Sequence, residues 1–124
     1  MTHAVTGPER IAAAFGDRVT RAALMPYLMG GFPGLAESRR IGEACQASGA
    51  DLLEVGVPFS DPLADGPVIH DAGTSALSSG ATLAGVLEVA GALAHGCPIV
   101  LMCYANLVLA RGAESFAGLL AGAG

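Results

Sequence analysis

Two carboxylates in one short stretch are the first residues here that could do chemistry. Glu54 interrupts the apolar run Leu52-Leu53-Glu54-Val55-Gly56-Val57, and Asp65 follows in the stretch Pro58-Phe59-Ser60-Asp61-Pro62-Leu63-Ala64-Asp65-Gly66. The run reads as a strand of a parallel sheet with apolar residues on both faces, so its acid is out of place. Charged and unpaired, such a group costs on the order of several kcal/mol. It therefore sits at a strand end in a wet cavity, or has a raised pKa, or both. Gly56 shares its face and leaves room beside it. The following stretch is a loop, because two further prolines and a glycine exclude helix and strand. A strand acid and a loop acid in different surroundings form the kind of pair that acid–base catalysis uses.

The elements that must hold these groups can be read in order. Met1 to Thr6 is a loose terminus, and Pro8 opens a short helix with Ile11, Ala14 and Phe15 on one face. Ala22 to Met29 is the first strand, followed by the loop Gly30-Gly31-Phe32-Pro33-Gly34. Leu35 to Ser48 is a helix with Leu35, Ile41, Ala44 and Cys45 in its apolar stripe, and Gly49 in the stop position. After the second strand and its loop, Val68 to Ser78 is a short extra helix. Thr82 then caps a helix whose stripe is Leu83, Val86, Leu87, Ala90 and Leu93. Ile99 to Cys103 is the third strand, Tyr104-Ala105-Asn106 leads into a loop, and Glu114 to Ala121 starts another helix.

Strands alternating with helices over short joins predict an α/β chain with a parallel sheet and right-handed crossovers. The pattern alone fits a doubly wound sheet or a (β/α)₈ barrel, although no GxGxxG turn follows the first strand. The whole chain, 1–124, is expected to form one domain. Ala121-Gly122-Ala123-Gly124 ends a helix as Ser48-Gly49-Ala50-Asp51 does, so a fourth strand is due where the sequence stops. A full barrel takes about 250 residues. The expectation is the N-terminal half of one, truncated after the third βα unit.

Composition narrows the function. Hydrophobic residues make up 52% and charged ones 14%, yet no apolar run reaches membrane-span length. The formal charge of −5 and the lack of a basic patch beyond Arg39-Arg40 argue against nucleic acid. Cys45, Cys97 and Cys103 lack the spacing of a zinc site and read as small buried hydrophobes. No metal site is expected. With no signal-peptide pattern, the expected location is cytoplasmic.

The run Leu53-Glu54-Val55-Gly56-Val57-Pro58-Phe59-Ser60-Asp61-Pro62-Leu63-Ala64-Asp65-Gly66-Pro67 resembles the signature of the tryptophan synthase alpha chain family along its whole length. Weaker likeness runs through Pro26 to Pro33 and Met102 to Asn106. The resemblance implies the TIM barrel and a lyase of tryptophan biosynthesis that cleaves indole-3-glycerol phosphate to indole and glyceraldehyde 3-phosphate. This retro-aldol step needs the indole ring to accept an electron pair. Protonating the ring carbon while drawing on the ring N–H creates that sink, and a base must take the side-chain hydroxyl proton.

By resemblance, Glu54 is the acid–base residue, with a pKa raised by apolar surroundings, and Asp65 holds the indole N–H. The step needs no cofactor of the chain's own. The implied partner is the PLP-dependent beta chain in an alpha2beta2 assembly, met by Pro58, Asp61 and Asn106. Tyr27, Met29 and Met102 fall near strand ends and could line an indole pocket, with a core role equally open to the methionines.

Plainer roles compete. Glu54 could pair with an arginine, Asp65 could serve only as a turn residue before Gly-Pro, and Asp61 is more a loop or partner contact than a catalyst. His3, His70 and His95 suit surface or capping positions. The phosphate site of such barrels usually comes from the loops after strands 7–8. The Gly30-Gly31 loop is a poor substitute, with no basic neighbour or helix start of free N–H groups. The chain alone is therefore expected to be inactive. The rival readings are a non-catalytic half-barrel that docks on the beta chain or pairs with itself, and another phosphate-handling barrel enzyme.

Overall fold

The structure, a computed structural model, describes residues 5–16 and 20–124; His3 and most of Met1–Thr6 lie outside them. The elements run α1 Gly7–Gly16, β1 Tyr27–Met29, α2 Leu35–Ala47, β2 Leu53–Gly56, α3 Pro67–Ser78, α4 Leu83–Ala94, β3 Ile99–Met102, α5 Ala105–Arg111 and α6 Ala113–Ala123. The three strands pair in parallel in the order β1-β2-β3.

The register makes rows across the sheet. Tyr27, Glu54 and Val100 share one row, and Met29, Gly56 and Met102 share another nearer the C-terminal ends. All six point to one face, because alternate residues of a strand share a side. On the opposite face Leu53 packs with Val89, Leu93 and Cys97, joined by Leu28, Leu35, Cys45 and Ile99. Val55 packs there with Val86. Both crossover helices, α2 and α4, thus cover a single face. A doubly wound sheet is covered on both faces, whereas a barrel wall carries its helices outside and its row of strand-end residues inside.

Local chemistry explains the boundaries. Thr6 opens α1 with a capping box: its N–H donates to Glu9 Oε2 at 2.7 Å, and Glu9 N–H donates back to Thr6 Oγ1 at 3.5 Å. In α1, Ile11 and Ala14 are half-buried while Phe15 is 53% exposed, so the expected stripe is only partly used. Arg10 fastens this helix to the body by donating to the Ala94 and Gly124 carbonyls. Thr82 caps α4 as expected, accepting from Gly85 N–H at 3.1 Å.

Three expectations need correction. The first strand is Tyr27–Met29, not Ala22 to Met29. Leu24 and Pro26 accept backbone bonds from Asp51 and Glu54, but Pro26 has no N–H to return one. In α2, Ile41 and Ala44 face water, while Ser38 and Gly42 are buried. Gly42 makes a notch for Leu93, whose Cδ1 would stand 2.5 Å from an added Cβ. Ser38 Oγ accepts from Gly31 N–H and donates to the Leu35 carbonyl. Finally, Tyr104-Ala105-Asn106 starts α5 rather than a loop, with Tyr104 at its N-cap.

Candidate active site

Sheet geometry brings Tyr27 and Glu54 into one row and Met29 and Met102 into the next, on the same face. Tyr27 reaches from β1 across Gly56 of β2, where an added Cβ would collide with its hydroxyl and stand 2.7 Å from Cζ. Only glycine leaves the tyrosine this berth. Beyond it opens a cavity of about 320 Å³ lined by Tyr27, Met29, Val57, Ala64, Asp65, Met102, Cys103 and Tyr104. Tyr27, Asp65 and Met102, singled out from the sequence, thus come together.

Glu54 is not in that lining. It lies half-buried in the row of Tyr27, next to the cavity row on the same face. The ion pairs of the described residues are Arg21–Asp51, Arg39–Glu43, Arg40–Glu37 and His70–Asp71, so the plain pairing of Glu54 with an arginine does not occur among them. A larger apolar hollow of about 710 Å³ lies between α1, α4, β3 and α6, but it contains no acid. Of these two, the smaller is the one lined by an acidic side chain, that of Asp65.

Tyr27 reports on both acids. Burial pushes its hydroxyl up to about 12, and the charges of Asp65, Glu54 and Tyr104 add to the effect. The sign follows from proton binding. The folded chain holds this proton more tightly than the unfolded chain, so the contribution to stability is complete below about pH 10. It is lost as pH rises through the folded value. In Tyr104→Phe, Tyr27 is the sole tyrosine. Its tyrosinate absorbance is expected to rise well above pH 10, with unfolding favoured over the same interval; a midpoint near 10 would mean the ring lies in solvent.

The loop carrying Asp65 is held by residues that sequence reasoning passed over. Ala64 N–H donates to Tyr104 Oη at 3.0 Å, and the Phe59 and Tyr104 rings lie 5.3 Å apart at 35°. An aromatic just after a strand and another in the facing loop were the available signal. Of the expected partner contacts, Asp61 and Asn106 are exposed, whereas Pro58 is buried within the chain itself. Ser60 Oγ donates to Asp61 at 2.6 Å.

Other candidates recede. Helix α2 begins at Leu35, directly after the Gly30–Gly34 loop, but Glu37 in its first turn opposes an anion there. His70 is exposed beside Asp71, and His95 is the C-cap of α4. Cys45 and Cys97 pack in the core as small hydrophobes. Cys103 lines the cavity, and burial pushes its thiol up, away from a reactive thiolate. Among the described residues no cluster of His, Cys, Asp and Glu could hold a metal, and no single helix is long and apolar enough to cross a membrane.

Comparison with known proteins gives one answer. The family model for tryptophan synthase alpha chains matches residues 15–124. The tryptophan synthase alpha chain of Carboxydothermus hydrogenoformans is 45% identical over 119 residues, which is 93% of this chain and 45% of that relative. An aminoacrylate-bound tryptophan synthase from M. tuberculosis superposes with a TM-score of 0.87 at 39% identity, over 92% of this chain and 48% of that one. A tryptophan synthase complex from Pyrococcus furiosus gives 0.77 at 32%, over 82% and 43%. The chain spans about half the length of the relatives it matches. A parallel sheet with its crossover helices α2 and α4 on one face and matches of this extent agree: the chain belongs to the tryptophan synthase alpha chain family and folds as parallel βα units of its TIM barrel.

Proposed function

We propose that residues 1–124 form one domain, the N-terminal half of a (β/α)₈ barrel, carrying the acid–base part of a lyase site. The reaction is cleavage of indole-3-glycerol phosphate to indole and glyceraldehyde 3-phosphate in L-tryptophan biosynthesis, in the cytoplasm. Glu54 protonates the ring carbon and then accepts the side-chain hydroxyl proton. Asp65, on its exposed loop, draws on the indole N–H. Tyr27 and Met102 bound the ring. The single observation that carries this reading is Tyr27, lying in the cavity under the influence of both acids.

The chain supplies no cofactor of its own in this scheme. The PLP-dependent beta chain of an alpha2beta2 assembly takes the indole, docking on the exposed Asp61 and Asn106, with the buried Pro58 opening the loop that carries Asp61. The Pyrococcus furiosus neighbour is a tryptophan synthase complex, which supports a partner of this kind. A second reading, a non-catalytic half-barrel docking on the beta chain or on its own copy, draws on β1 and β3, which among the described residues each pair on one side only.

Titration with indole separates the two. Binding that is weakened but still measurable in Asp65→Ala while the fold persists supports the lyase site; equal affinity in both proteins overturns it. With indole-3-glycerol phosphate the isolated chain is expected to show no cleavage. Turnover that disappears in Glu54→Gln would overturn the inactivity and keep the catalytic role.

A further inference from the structure

We infer that Tyr104 is a positioning residue for Asp65, acting through the loop backbone; the inference rests on the lyase reading for its chemistry, but not for its geometry. Tyr104 stands just past the end of β3 and is the N-cap of α5, so its backbone is anchored on both sides by regular structure. Its ring packs on Phe59 near the start of the Pro58–Gly66 loop, and its hydroxyl accepts from Ala64 N–H, one residue before Asp65, at 3.0 Å. One side chain thus grips both limbs of the loop. Leu63, next to the bonded residue, is 94% exposed, so apolar burial of its side chain does not hold that limb. The hydroxyl bond is what ties it to β3.

The consequence is directional. Asp65 and Tyr104 line the same cavity, and the tyrosine oxygen that fixes Ala64 also fixes how far the next residue can swing from it. A loop held this way presents the carboxylate to a ring N–H without reorganisation on binding, which is where positioning gains its effect. The tyrosine acts on the carboxylate through one peptide unit, and contact with the ring is not required. The hydroxyl keeps its own proton available to the cavity, since in the Ala64 bond it only accepts.

The test uses Tyr104→Phe, which keeps the ring against Phe59 and deletes only the hydroxyl. Amide hydrogen exchange at Ala64 is expected to quicken by about fivefold, the loss of one ordinary hydrogen bond, while the Leu53 and Val55 amides of β2 stay unchanged. Indole affinity should fall by a similar factor in Tyr104→Phe, and by nothing further when that change is added to Asp65→Ala. Unchanged exchange at Ala64 overturns the clamp. So does a loss of indole affinity that is undiminished on the Asp65→Ala background, because it would mean that Tyr104 touches the ring itself. If the parent chain binds no indole at all, the lyase reading fails, and Ala64 exchange still decides the clamp.

Discussion

Gly56→Ala is expected to expel Tyr27 from its place and abolish the site while leaving most of the sheet intact. The added Cβ would collide with the Tyr27 hydroxyl and stand 2.7 Å from Cζ and 3.1 Å from Cε2. Those atoms belong to the far end of a rotatable side chain, so the ring yields before the backbone does. Overpacking of this kind costs typically about 1–3 kcal/mol. The larger effect falls on the cavity, whose wall is the ring that moves. Indole affinity should drop by about tenfold or more, since each 1.4 kcal/mol is roughly a factor of ten. In a Tyr104→Phe background, tyrosinate absorbance should show Tyr27 returning toward its ordinary midpoint near pH 10. A Gly56→Ala chain that keeps both the raised midpoint and the indole affinity would show that Tyr27 does not rest on Gly56.

Glu54 and Gly56 stand out in the sequence because each breaks a local rule. A carboxylate inside Leu-Leu-Glu-Val and a glycine two residues later are both unfavourable in an ordinary buried strand; the room at the glycine, read as space beside the carboxylate, is taken by the Tyr27 ring. Helix α4 was legible for the opposite reason: its capping threonine and apolar stripe agree with each other.

What escaped the sequence depends on partners distant along the chain. The buried side of α2 turns on a glycine that receives Leu93 from α4 and on a serine that binds Gly31, so the more hydrophobic Ile41 is left outside. Helix α5 runs only from Ala105 to Arg111, too short for a periodic stripe to show. Pro58 looked like a loop residue free to meet a partner, yet it is packed inside. The clamp by Tyr104 needs the strand end and the loop to be seen side by side; neither residue alone signals it.

Leu53→Ala is the substitution expected to cost most in stability. Leu53 has no solvent exposure and lies at the centre of the outer face, where α2 and α4 converge on β2 through Leu35, Cys45, Val89 and Leu93. Its truncation removes apolar burial and leaves a void that these helices cannot close, because Gly42 already brings α2 against Leu93 with no slack. Buried Leu→Ala changes cost about 2–5 kcal/mol. Small domains hold only about 5–15 kcal/mol in total, so a large part of the margin goes with one side chain. The neighbouring Glu54 would lose the strand that aims it, and site and fold should therefore fail together in urea, followed by circular dichroism and by tyrosine absorbance. Leu63→Ala supplies the contrast: at 94% exposure it should stay within about 0.5 kcal/mol of the parent. Similar urea midpoints for the two variants would mean that the helices do not draw their stability from this face of β2, and that the carboxylate is held by something other than the strand.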